Sequence, residues 1–396
     1  MKLTIFSQHF WPENFRINDI AVRLNQIGVK VNIFTGKPNY PDGIIKKKYK
    51  SLIPIHGSYK GIDILRFPII SRGNSNFLKL SLNYLSFILS VSFFSFFYKK
   101  KLGNIFFVYA TSPIFQAFPA ILIGKIFNIK TILWVQDLWP HNLKDTGYIK
   151  NSFILYLIDF LVNKIYNLSD LILCQSDAFT KEIKKKTKVE VKTFYNPSNY
   201  KFNYKKKINK SPYFNIYYTG NLGQGQNFDK IIELFNNKKI IKEKIRLTIY
   251  GGGKNFDSIN KKIKDHKLKN VFLNKPVNPE QLQKKIKNAD CFILKLNNGV
   301  GLSKTIPAKF QTYLSFGKPI VSINRGIVSK LVTQYKIGFQ CNSKKSSDFV
   351  NILIKTKKLS SKKLKNISIN SHNLFLKKFE INNSCKKLKN YLEDIQ

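Results

Sequence analysis

The strongest constraint on this chain is an alternation of short apolar runs with helical patterns from end to end. In the first half the runs fall at 3–6, 31–34, 64–67, 105–109, 131–135, 171–174 and 191–194. Apolar residues recur at helical spacing over 15–27, 77–98, 114–127 and 153–166. Strand-length runs separated by helices predict βαβ units and a parallel sheet. The rhythm stops over 198–212, a polar stretch that carries Lys205, Lys206 and Lys207 and ends in Ser211-Pro212. It reads as a linker.

A second series then begins. Strands are predicted at 215–219, 246–250, 271–273, 291–294 and 320–323, and helices at 228–235, 256–266, 280–287 and 308–316. The last ~50 residues read as Lys-rich helices. The expected class is α/β with two Rossmann-like domains, at 1–200 and 213–370, and a C-terminal segment at 371–396. Ligands of such sheets bind beyond the carboxyl ends of the strands. Two sheets facing each other would place the site in a cleft.

The chain has 396 residues, 43% of them hydrophobic, which is enough for two cores and argues against a disordered or fibrous chain. Its formal net charge of +46 has two readings. One is an anionic partner: nucleic acid, a membrane surface or a phosphorylated substrate. The other is a compositional bias toward Lys, Asn, Ile and Phe. The lysines are scattered and Arg is rare, whereas nucleic-acid readers favour the bidentate Arg fork. Nucleic acid is therefore not expected, while an anionic lipid surface remains a fit.

Cys174, Cys291, Cys341 and Cys385 form no CxxC pair. Neither a metal site nor a disulfide framework is expected, and a reducing cytoplasm fits. No signal peptide is expected, because Met1-Lys2 leads directly into a strand-like run. The longest uncharged stretch, 80–98, approaches the ~20 residues of a spanning helix. However, Lys79, Asn83, Ser86 and Ser90 form a polar stripe, and Lys99, Lys100 and Lys101 follow. The segment reads as an amphipathic helix, packed on a sheet or lying in a membrane interface, with a true span as a third reading.

Three segments carry candidate chemistry. Residues 218–227 (Tyr-Thr-Gly-Asn-Leu-Gly-Gln-Gly-Gln-Asn) follow the first strand of the second series and open a helix. Glycines there admit a ligand and the helix N-terminus favours an anion, although a plain turn explains the segment equally. Gly251, Gly252 and Gly253 follow the next strand, as another close-approach turn or as simple loop geometry. In the third, a Gly-rich loop after Lys295 leads to Pro307 at a helix start, with Lys309 in the first turn. A cation there opposes the helix dipole, so it points either to a nearby anion such as a diphosphate or to a solvated surface lysine.

The ordered set of motifs resembles the retaining family-4 glycosyltransferases of the GT-B fold. It is most similar to the WbuB-type L-fucosamine transferase subgroup of O-antigen and capsule assembly. The residues carrying this are Pro307-x-Lys309, Tyr313, Gly317-Lys318-Pro319, the segment 220–223, the segment 134–140 (Trp-Val-Gln-Asp-Leu-Trp-Pro) and Phe10-Trp11-Pro12-Glu13. The resemblance covers nearly the whole chain. Three features depart from the wider family. Asn221 and Gln226 replace an Arg and a Lys that grip donor phosphates. Lys304 and Thr312 stand in place of two glutamates. Gln136 stands where a His often precedes the Asp equivalent to Asp137.

The resemblance implies two domains facing across a cleft, with C-terminal helices crossing back to the first. It implies a nucleotide-sugar donor, UDP-linked, held by Gly220, Asn221, Gln226, Gly251, Gly253, Lys295, Thr305, Lys309 and Tyr313. Lys309 and the 303–306 amides would neutralise the diphosphate. Asp137, at a strand end, would orient the acceptor or a sugar hydroxyl, unless it is a structural Asp. Glu13, Arg16 and Gln136 would meet the acceptor, although Arg16 reads equally as a solvated first-turn residue. Neither metal nor cofactor is implied, and no DxD pair lies at a strand end. The acceptor would be a polyprenyl-diphosphate-linked saccharide, with the protein peripheral on the inner face of the plasma membrane. Two other classes stay open: a nucleotide-sugar 2-epimerase on the same fold, and a non-enzymatic basic protein binding RNA or membrane.

Overall fold

The computed structural model describes residues 1–74, 76–200, 211–223, 228–296, 299–323, 325–341 and 346–396, without the Pro279 side chain. The chain divides into two compact units. The first comprises Met1–Pro140, Ile149–Asn199 and Glu380–Gln396, and the second His141–Tyr148 and Tyr200–Phe379. These limits differ from a simple split near residue 200. Residues 141–148 join the second unit, and the return to the first occurs at Glu380 rather than 371. Most of the stretch read as a linker lies outside the described residues.

In the first unit, eight strands form one sheet: β1 (Lys2–Ser7), β2 (Lys30–Gly36), β3 (Ile55–Tyr59), β4 (Ile62–Phe67), β5 (Ile105–Ala110), β6 (Lys130–Val135), β7 (Leu171–Cys174) and β8 (Val191–Thr193). Their order is β3-β4-β2-β1-β5-β6-β7-β8. All pairs are parallel except β3–β4. Helices α1 (Arg16–Gln26), α2 (Phe77–Phe94), α3 (Phe118–Phe127), α4 (His141–Asp145), α5 (Ser152–Leu168) and α6 (Asp177–Ile183) follow in sequence, α4 lying in the second unit. Every residue of β5 is buried, as expected for a central strand covered on both faces. The sequence did not signal β3, because its Ile-His-Gly-Ser-Tyr composition is only half apolar. It is an edge strand, turned back through Lys60 and Gly61, both at positive φ (49° and 77°).

The second unit has a six-stranded parallel sheet: β9 (Phe214–Thr219), β10 (Ile245–Tyr250), β11 (Val271–Asn274), β12 (Cys291–Leu294), β13 (Ile320–Ser322) and β14 (Gly338–Gln340). Its order is β11-β10-β9-β12-β13-β14. Its helices are α7 (Asp229–Leu234), α8 (Lys238–Lys242), α9 (Phe256–Asp265), α10 (Pro279–Ile286), α11 (Ala308–Ser315), α12 (Ile327–Gln334), α13 (Ser346–Lys357) and α14 (Ser361–Lys378). The last helix, α15 (Ile381–Ile395), packs on α1 and buries Cys385, Leu388 and Leu392 in the core of the first unit. In each sheet the winding reverses once, between β1 and β5 and between β9 and β12. Such switch points open a crevice at the carboxyl ends of the strands.

Of the polar stripe on α2, Asn83 turns inward and Ser86 and Ser90 are half-buried, while Lys79 at the helix start is exposed. Asn83 is fully buried, accepts from Gln8 Nε2 (2.7 Å) and donates to the Ile70 carbonyl (2.5 Å).

Candidate active site

The crevice of the second unit lies between the loops that follow β9 and β12. Gly220, just after β9, has φ +107° and abuts Lys309: a Cβ there would meet Lys309 Cε at 3.3 Å. Lys309, in the first turn of α11, donates from Nζ to the Tyr218 hydroxyl at 2.6 Å. The same ammonium lies 3.8 Å from the Tyr218 ring centroid. The Tyr218 hydroxyl donates in turn to the Asn221 carbonyl (2.8 Å), and burial holds its phenol pKa well above the usual range. The lysine thus leans on a neutral phenol. Burial pushes its pKa down to about 7. Of the two readings of Lys309, the solvated surface lysine does not hold.

Lys295 stands directly after β12 and is buried. Burial, with Lys230 nearby, pushes its pKa down to about 8, against the pull of Asp229. The two lysines are therefore desolvated cations at the carboxyl ends of this sheet, next to its switch point. Such ammoniums gain charge when an anion arrives.

Other expected donor contacts have different work. Tyr313 is fully buried, its hydroxyl accepts the Thr219 N–H (2.9 Å), and its ring stacks on Phe292 at 4.3 Å. It ties α11 to the end of β9 and does not face a ligand. A Cβ at Gly251 would meet the Gly220 carbonyl at 2.3 Å, and one at Gly253 would meet Asn221 Oδ1 at 2.2 Å. These glycines let two loops close on each other, so loop geometry accounts for them. The Thr305 hydroxyl donates to the Gly301 carbonyl (3.0 Å), within its own turn. The N–H groups of Ser303, Lys304 and Thr305 bond to Gly299, Gly301 and Leu302 carbonyls, so these three are not available to a diphosphate. Asn221 is exposed beside Gly220. Gln226 lies outside the described residues.

One residue in this unit escaped the sequence reading. Asp145 Oδ2 accepts the N–H groups of Gly301 (2.7 Å) and Leu302 (3.0 Å). A Cβ at Gly299 would strike its carboxylate at 2.1 Å, and one at Gly301 would strike Asn142 Oδ1 at 1.9 Å. The glycines of this loop admit α4. Nothing local to Asp145 signalled this, because its partners lie more than 150 residues away.

In the first unit, Asp137 follows β6 and is half-buried. Its Oδ2 accepts from Ser112 (2.9 Å), whose oxygen accepts from Trp139 Nε1 (3.1 Å). Burial pushes the Tyr109 phenol up to about 12, with Arg16 lowering it and Asp137 raising it, so both charges lie near that ring. Arg16 also donates to the Pro197 carbonyl. Gln136 is buried, accepts from Gln175 Nε2 at its carbonyl (2.7 Å), and keeps its own Nε2 buried without a protein partner.

Glu13 belongs elsewhere. It is buried, one oxygen accepts the N–H groups of Asn39 (2.7 Å) and Tyr40 (2.6 Å), and the other pairs with His9 Nδ1 (2.8 Å). It clamps the loop after β2 to the loop after β1, so both of its oxygens are engaged within the first unit. The four cysteines are free and buried.

Residues 201–373 match the family model described as glycosyl transferases group 1. No curated protein matches the chain by sequence. Among solved structures, sucrose-phosphate synthase from Thermosynechococcus elongatus is 11% identical with a TM-score of 0.76, covering 100% of this chain and 98% of that one. Anabaena HepE in complex with UDP and glucose is 12% identical, with a TM-score of 0.68 and complete coverage of both chains. An E. coli trehalose-6-phosphate structure bound with UDP-2-fluoro glucose is 11% identical, TM-score 0.70, covering 100% of this chain and 99% of that one. The fold is GT-B.

Proposed function

We propose that this glycosyltransferase moves a sugar from a UDP-linked donor, with retention at the anomeric carbon, to a saccharide carried on a polyprenyl diphosphate. The transferred sugar is an amino- or deoxyhexose of the N-acetyl-L-fucosamine type, and the product is a surface polysaccharide such as O-antigen or capsule. The protein works peripherally on the inner face of the plasma membrane. A nucleotide donor is supported by the structural neighbours that hold UDP or UDP-2-fluoro glucose.

The observation that carries the donor reading is Lys309. Its ammonium is desolvated beside Gly220 at a switch point and rests on a neutral phenol. A diphosphate is the ligand chemistry that offsets this. In the reaction the acceptor oxygen bonds to the anomeric carbon on the face the nucleotide leaves. The carbon–phosphate oxygen bond breaks, and the acceptor proton passes to a donor phosphate oxygen. Protonated Lys309 stabilises charge on the departing diphosphate. Asp137, set by Ser112, orients a hydroxyl, and the free Nε2 of Gln136 is the second polar group offered there. No cofactor or metal enters this chemistry.

The test is a thermal-shift screen across UDP and GDP sugars, followed by transfer to a polyprenyl-diphosphate saccharide. A rise in Tm with UDP sugars, lost in Lys309→Ala, is expected. Response to GDP sugars alone, or an unchanged response in Lys309→Ala, overturns the donor assignment.

A further inference from the structure

Helix α2 is apolar on both sides: its inward side buries Phe87 and Val91 beside the polar Asn83. Asn83 is locked into the core by Gln8 and Ile70, and Ser86 accepts the Ile70 N–H at 2.9 Å. The opposite side shows Leu85, Leu89 and Phe93 to solvent at 51%, 60% and 60% exposure. A helix packed on a core and otherwise wetted carries polar residues on that outer side. Among the described residues, α2 is the one helix long and apolar enough to cross a membrane. Its internal hydrogen bonds instead hold it flat against the unit.

A second helix repeats the pattern. On α5, Phe153, Tyr156 and Phe160 are 67%, 69% and 51% exposed. Both helices pack on the 3-10 turn Ile114–Ala117 and on α3, which follows it. Between them lies a groove of about 220 Å³ lined by Ile88, Phe115, Phe118, Ile121, Leu161 and Leu168, with Lys164 also at its wall. Contiguous apolar surface of this kind marks an interaction site.

Charge selects the partner. Residues 64–136 contain no Asp or Glu, and Lys99, Lys100, Lys101 and Lys125 are exposed within them. On α5 the one acid, Asp159, is paired with Lys186. Apolar residues flanked by lysines, with no exposed unpaired acid on either helix, match hydrocarbon beneath anionic head groups.

We infer that the face formed by α2, the 114–127 segment and α5 docks on a bilayer containing anionic lipid, and that its groove receives one hydrocarbon chain of a lipid in that bilayer. Use of the groove by the acceptor rests on the lipid-linked acceptor proposed above. The docking itself rests on the surface of the first unit alone.

The experiment uses the full chain and vesicles of phosphatidylcholine with and without phosphatidylglycerol. The native cysteines are buried, so single surface cysteines take an environment-sensitive dye selectively. Labels on Leu89→Cys, Leu161→Cys and Leu168→Cys are expected to brighten on mixed vesicles and to be quenched by nitroxides on the acyl chains. A label on Ile241→Cys, exposed in the second unit, stays unquenched. The double variant Leu85→Glu/Leu89→Glu floats about tenfold less and keeps its UDP affinity.

Quenching at Leu89 and Leu161 no greater than at Ile241 overturns the docking, as does a wild type that does not float. A lipid-free dimer that already shields those labels overturns it in favour of a second copy of the chain. Quenching at those sites but not at Leu168 overturns the groove. Failure of the wild type to bind UDP sugars overturns the donor reading and leaves the vesicle result standing.

Discussion

Lys309 donates a 2.6 Å hydrogen bond to the hydroxyl of Tyr218 while its ammonium sits 3.8 Å from the centroid of the same ring. A phenol is a poor substitute for water around an ammonium. The charge is therefore only half retained near neutrality, and the site is set to respond to an anion.

Replacing Lys309 with Met is expected to separate binding from stability. Loss of a charge-assisted contact weakens UDP-sugar binding by about 1.5–3 kcal/mol, roughly ten- to a hundredfold. Removing a desolvated cation raises stability by ~1 kcal/mol at pH 7. Calorimetric titration and denaturant unfolding of the same variant check the two halves.

Donor binding is expected to take up protons. The free-state pKa of Lys309 is about 7, and a bound diphosphate raises it. The protonated form binds the donor, so affinity is greatest below pH 7 and declines as pH rises through the free and then the bound value. Folding runs the opposite way. The unfolded lysine titrates at its ordinary value of 10.5 and binds more protons than the folded one from about 7 upward. This residue's contribution to stability therefore rises with pH over that window. Titrations in buffers of different ionisation enthalpy measure the uptake, which Lys309→Met reduces, Lys295 supplying the remainder.

Tyr313→Phe removes the acceptor of the Thr219 N–H and leaves that buried donor unpaired. The expected cost is about 1–2 kcal/mol of stability. Donor affinity falls only insofar as the turn at Gly220 loosens. Urea unfolding alongside UDP titration distinguishes this from a direct ligand contact, for which affinity falls and stability does not.

Asp145→Asn weakens two charge-assisted bonds to the loop that begins at Gly301. Amide exchange at Gly301 and Leu302 is expected to quicken by about tenfold, with exchange in β12 unchanged. The same exchange rates as wild type at those two amides refute the anchoring role.

Much of the frame was legible in the sequence. Both sheets follow from the alternation of apolar runs and helical patterns, and buried central strands such as β5 announce themselves by composition. Two of the four edge strands did not. β3 and β14 are short and only partly buried, so their residues carry no apolar signature. Lys309 was legible as a cation in a helix's first turn, but its desolvation was not, because Tyr218 reaches it across 91 residues of chain.

What the sequence determined by itself was the local content: which segments form strands and helices, where the glycines permit tight turns, and how much positive charge the chain bears. The tertiary structure decided which groups remain available. It spent Glu13 on two backbone amides and His9, Tyr313 on Thr219, and the 303–305 amides on their own turn. It also turned Asn83 inward and the leucines of α2 outward. The reason is physical. A polar atom's role depends on whether a partner is brought within ~3 Å of it, and folding makes those pairings between residues distant in sequence.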